Sequence, residues 1–264
     1  LLSKSAGARR DLHSIEGWEK YVERRKRFSK SKLVEFHTPL THLDFFRNGR
    51  YFPNLPLDLR LNRAPTNFIL SGAKEGAGKY RLKIVDVQLT ARYVHLAPSI
   101  VDMHKKLILS RPYSFYYLDN RLKHVTVPLG TVSLNVPHLF LNKLPRVLYC
   151  GFIDTNSLSG SLQGFDMSRF RFEQFELSHM QCKVNGIMQS SGHQFIFGQD
   201  DAGATKAYKA LQSSVGSQDN FNSNDLTFES FKERNFILSY NFIPSLNNFG
   251  TITEASTGEI SFDF

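Results

Sequence analysis

The chain has 264 residues, 41% hydrophobic and 13% aromatic, with 23 Phe against one Trp and four Met. That length buries one large core or two small ones, and no run of about 18 apolar residues offers a membrane span. The formal charge of +9 gathers at the start, where residues 1–32 hold ten Lys/Arg against four Asp/Glu while the remainder holds 23 against 20. A basic arm on a near-neutral body speaks of an acidic partner and says nothing about fold.

In chain order, residues 8–28 carry a helical stripe of Leu12, Ile15, Trp18 and Val22. Arg24, Arg25, Lys26 and Arg27 follow it, then Lys30 and Lys32. Cations suit the carboxyl end of a helix, but four adjacent ones exceed what a helix terminus requires, so a phosphate-facing arm stands beside the plain reading. With Leu1 first and no charged-then-apolar leader, the chain is expected to be a fragment or a processed product.

From Leu33 the periodicity is that of strands. Leu33–Phe46 and Leu57–Leu70 are expected strands, with Asn48-Gly49 as a turn signal between them. The stretch SGAKEGAGK at 71–79 invites a phosphate-loop reading, which fails because Ala73 and Tyr80 stand where a glycine and a hydroxyl are needed. Tyr80–Leu96 reads as the clearest long strand, with Val85, Val87, Leu89, Ala91 and Tyr93 on one face and a bulge near Ile84-Val85. Pro98 opens a short helix over Ser99–Leu109, and Ser114–Leu118 is another strand. Val125/Val127 and Val132/Leu134/Val136 alternate about Pro128-Leu129-Gly130, which predicts a half-buried hairpin.

Val147–Ile153 is apolar on both faces, as in a strand at the heart of a sandwich. Asn156–Phe165 reads as a loop, Arg169–Val184 as a long strand with two switches of parity, and Asn185-Gly186 as a turn. Residues 189–234 read as a polar excursion with one short helix near Ala204–Leu211. Asn235–Ile243 and Gly258–Phe264 close the pattern as strands, with Phe236, Leu238, Tyr240, Phe242, Ile260, Phe262 and Phe264 facing inward.

These elements predict an all-β chain: an antiparallel jelly-roll sandwich with short helical insertions and an N-terminal helix. Residues 1–32 form the arm or linker and 33–264 the jelly roll. No catalytic, metal or cofactor constellation emerges. His37 and His42 fall on opposite faces of one strand, His95 and His104 have no acidic partner in sequence reach, and Asp200-Asp201 sits in a loop. Cys150 and Cys182, both inside strands, are expected to be reduced core thiols.

Several short motifs recur in a fixed order. They are His42-Leu43-Asp44-Phe45-Phe46, Leu59-Arg60-Leu61-Asn62-Arg63, Pro98-Ser99 and Val127-Pro128-Leu129-Gly130. His138-Leu139-Phe140-Leu141-Asn142, Leu144-Pro145-Arg146, Gly151-Phe152-Ile153-Asp154 and Gly160-Ser161 complete the series. In this the chain resembles the carboxy-terminal part of the major capsid protein of Polinton/Maverick elements and adintoviruses, a hexon-like double-jelly-roll family. The resemblance runs from about Ser31 to Phe264 and is strongest between Leu57 and Gly186. The family's Asn-Pro-Phe is replaced around Gly164-Phe165, residues 189–234 match nothing in it, and the first jelly roll is missing.

The resemblance implies a structural, non-enzymatic protein of the virion capsid of a double-stranded DNA virus or a virus-derived transposon. It implies self-association into homotrimeric pseudo-hexagonal capsomers and a larger shell, contacts with minor capsid proteins, no cofactor, and a location in host cytoplasm or nucleus during assembly. Arg24, Arg25, Lys26, Arg27, Lys30 and Lys32 would then serve as an inter-barrel linker or touch packaged DNA without sequence preference. Two other readings compete: a non-catalytic β-sandwich module binding carbohydrate or a protein receptor through Tyr113, Tyr116 and Tyr117, and a nucleic-acid-binding protein acting through the arm.

Overall fold

A computed structural model describes residues 26–40, 58–70, 78–111, 119–141, 143–159, 170–188, 194–198, 203–215, 226–242 and 258–264. Six strands lie among them: β1 Asn135–Phe140, β2 Val147–Gly151, β3 His179–Val184, β4 Gln194–Ile196, β5 Ile237–Asn241 and β6 Ile260–Asp263. Five α-helices accompany them: α1 Thr66–Ile69, α2 Pro98–Ser110, α3 Thr155–Ser159, α4 Ala204–Val215 and α5 Phe228–Arg234. The chain divides into two units, one of residues 1–32, 64–80 and 123–264, the other of residues 33–63 and 81–122.

All six strands belong to the first unit and pair antiparallel. One sheet has the order β1-β6-β3-β4, and the other joins β2 to β5. β3 shows why these segments are strands: Met180, Cys182 and Val184 are buried while His179, Gln181 and Lys183 are half-exposed, the period-2 pattern of a one-sided sheet. β6 repeats it with Ile260 and Phe262 inside, and β5 brings Leu238 and Tyr240 in, each fully buried. The inward residues of the two sheets meet in one aromatic cluster. Tyr240 lies edge-on to Phe195 at 5.3 Å and against Phe262 at 5.4 Å, while Phe236 contacts Phe197 and Phe231, each at 5.3 Å.

The fold is β-rich and antiparallel, as expected, but it is not all-β. α4 turns Ala204, Ala207 and Leu211 into the core at helical spacing, and α5 contributes Phe231. Thr227 caps α5, its hydroxyl accepting from the Ser230 amide at 3.2 Å. The region expected as a loop excursion therefore holds β4 and two core-facing helices.

Several segments depart from their predicted form. Tyr80–Leu96 is extended but joins no ladder, and among the described residues 81–96 make no backbone–backbone hydrogen bond. Residues 33–40 and 58–65 likewise form no strand, and Thr66–Ile69 is a helical turn. The expected hairpin at 124–136 is also absent. Its turn exists, with Gly130 at φ +80° and Thr131 bonding Pro128 O, but the ladder begins at Asn135 and pairs with β6. β2 forms where expected, yet it is an edge strand with Tyr149 facing outward, so it does not lie at the heart of a sandwich. Of Arg169–Val184 only β3 is a strand; Phe175 and Glu176, at φ +51° and +56°, break it with a turn, which accounts for a parity switch.

Other expectations hold. α2 opens on Pro98, whose missing N–H costs nothing in a first turn. Asn185-Gly186 turns with φ +53° and +76°, the geometry that favours this dipeptide. The predicted elements at 8–25, 41–57, 71–77, 114–118 and 160–165 lie outside the described residues.

Candidate nucleic-acid interface

The described part of the arm begins at Lys26. Residues 26–28 are the end of a helix, continued by a 3-10 turn at Ser29–Ser31, where the Ser29 hydroxyl donates to Lys26 O at 2.7 Å. Lys30 and Ser31 take left-handed φ of 59° and 54°, so the chain leaves the helix sharply before Lys32 extends. Lys26, Arg27, Lys30 and Lys32 are all exposed, and none meets a carboxylate among the described residues. Four unneutralised cations within seven residues can release counterions from a phosphate backbone, and nothing in their arrangement reads bases. Arg24 and Arg25 lie outside the described residues, as do Tyr113, Tyr116, Tyr117, His42 and Asp200-Asp201.

No group of three or more His, Cys, Asp or Glu residues with metal-holding geometry occurs among the described residues. His138 is the one histidine with a printed carboxylate contact, Nδ1 to Glu259 Oε1 at 2.6 Å. It sits at φ +54° where β1 shifts register between Val136 and Phe140, a bulge that sequence reading placed nowhere. Glu259 is held in turn by Asn185, whose side-chain oxygen accepts from the Glu259 amide at 2.9 Å. Across the outer face of the larger sheet, Asn135 donates to Asp263 at 2.6 Å, and Lys183 forms an ion pair with the same carboxylate. These contacts tie strands together and enclose no cavity.

The two cysteines are free, as expected. Cys150 is the cross-strand partner of Leu238 in one sheet and Cys182 of Phe262 in the other. Burial pushes both thiols up from the ordinary 9.0 to about 12, with the neighbouring Cys150 adding to the effect on Cys182. Burial likewise raises the Tyr240 hydroxyl, with both cysteines contributing.

Protonated, buried thiols are inert. A thiol-directed disulfide reagent at pH 8 should therefore leave both unmodified for hours in the folded protein and label both at once in denaturant; fast labelling of the native chain would overturn this. The sign of the pH dependence follows. Above pH 9 only the unfolded chain releases these protons, so stability holds below pH 9 and falls between 9 and 12, by up to roughly 1.4 kcal/mol per pH unit for each thiol. Denaturant melts at pH 8 and 10.5 measure that fall, and the variant C150A/C182A should show less of it.

Among the described residues no helix is long and apolar enough to cross a membrane. No protein-family profile matches the chain, and no solved structure matches it. The chain is 19% identical over 200 residues to the uncharacterized protein F54H12.2 of Caenorhabditis elegans. That alignment covers 74% of this chain but 46% of the nematode protein, so the chain spans about half the length of that relative.

Proposed function

We propose that this chain is one jelly-roll half of a viral or virus-derived capsid subunit, a structural building block that assembles with copies of itself into trimeric capsomers of a virion shell. The observation that carries this reading is the pairing of β1 with β6. An Asn135–Asp263 contact across 128 residues closes a sheet from chain-distant strands over an aromatic core, as a jelly roll does. The ordered motif series from His42 to Ser161 supplies the capsid part of the reading, and a relative about twice this length leaves room for a second barrel. Expression of the complete parent chain followed by mass photometry and electron microscopy tests it. Trimers or closed shells are expected; a strictly monomeric species at high micromolar concentration refutes it.

Within that reading the arm contacts packaged DNA. If Arg24, Arg25, Lys26, Arg27, Lys30 and Lys32 each neutralise one phosphate, the logarithm of duplex-DNA affinity should fall against the logarithm of salt with a slope of about −5. Replacing all six by Ala should flatten the slope to near zero and leave the thermal melt unchanged. An unaltered slope would move the DNA contact elsewhere or remove it.

A further inference from the structure

The second unit carries a strand without a sheet, and the first carries a sheet without enough strands. Val85, Val87, Leu89 and Tyr93 are exposed on one side of the extended stretch 81–96, and Ile84 and Val94 on the other. A segment apolar on both faces belongs between packed layers, and its backbone groups have no ladder among the described residues. β2 and β5, meanwhile, make a sheet of only two strands, marginal in water, with no strand beyond β2 among the described residues. The backbone of β2 thus presents an open edge to strand addition.

Resting on the capsid reading above, we propose that residues 81–96 of one copy add as a strand to the outer edge of β2, Val147–Gly151, of a neighbouring copy. The occupant is a second copy because the assembly supplies one at high local concentration. The side chains along 81–96, continued by exposed Ile100, Met103 and Leu107 on α2, offer roughly the 800 Å² per partner that a stable interface buries. Donor and acceptor are different surfaces of the same chain, so the contact is heterologous and repeats around a ring.

The test is amine cross-linking of the assembled full chain, mixed from light- and heavy-isotope preparations. Lys83 of one copy should link to Lys143 or Lys209 of the other isotope, and V87D/L89D should weaken association at least about 100-fold without shifting the thermal melt. Links confined to one isotope would place the strand on its own copy and overturn the proposal. So would shells that survive V87D/L89D unchanged, which would leave the capsid reading standing. Absence of any assembly in the wild-type chain would instead refute the capsid reading, and the proposal with it.

Discussion

Replacing Phe236 by alanine should cost about 4 kcal/mol, the largest loss expected from a single truncation in this core. Phe236 is fully buried, and its ring lies 5.3 Å from both Phe197 and Phe231, so it bridges the strand end, the β4 region and α5 at one point. Removing it leaves a cavity walled by rings that cannot all collapse inward, because Phe231 is also held by Tyr208 at 5.5 Å. Urea denaturation followed by near-ultraviolet circular dichroism measures the loss. A shift under 1 kcal/mol would mean that Phe236 does not occupy the centre. Phe236→Leu, which keeps most of the volume, should recover more than half of the stability.

Gly203→Ala should be nearly as damaging for a different reason. Gly203 precedes α4 at φ +86°, and a Cβ built on it would stand 1.9 Å from the Ile196 carbonyl oxygen. Left-handed backbone alone costs an alanine roughly 1–2 kcal/mol. The carbonyl belongs to β4 and cannot move aside without disturbing the β3–β4 pairing, so a total above about 3 kcal/mol is expected. Gly186→Ala is the internal control. It has φ +76° with nothing within 4 Å, so only the backbone term applies and the loss should stay near 1 kcal/mol. Equal losses at the two positions would show that the close approach at Gly203 does not hold. Denaturant midpoints of the two variants decide it.

What the sequence discloses depends on whether an element buries one clean face. β5 and β6 do: Leu238 and Tyr240, then Ile260 and Phe262, sit at alternate positions and all are inside. The run from Val85 to Tyr93 alternates just as cleanly, yet it is exposed and unpaired. Alternation states that a segment suits a pleated sheet; it does not say which strand lies beside it.

α4 was half legible, for the opposite reason. Its buried stripe is two alanines and a leucine, too little hydrophobicity to distinguish a core helix from a polar loop. α5 buries only Phe231 and left no periodic signal at all. The bulge at His138 was invisible because histidine gives no sign of left-handed backbone. The cations Lys26, Arg27, Lys30 and Lys32, by contrast, needed no fold to be found, since charge clustering is a property of the sequence itself.

The place of β6 between β1 and β3 bears on how the molecule comes to be made. Its partner in β1 lies 128 residues upstream, so the larger sheet cannot zip from a local nucleus and must wait for a distant encounter. Until then β1 and β3 each expose a bare flank, with Val136, Met180 and Cys182 uncovered beside it. Maturation should accordingly be slow and sensitive to crowding among nascent chains, and a helper protein that shields those flanks would raise the yield of soluble product.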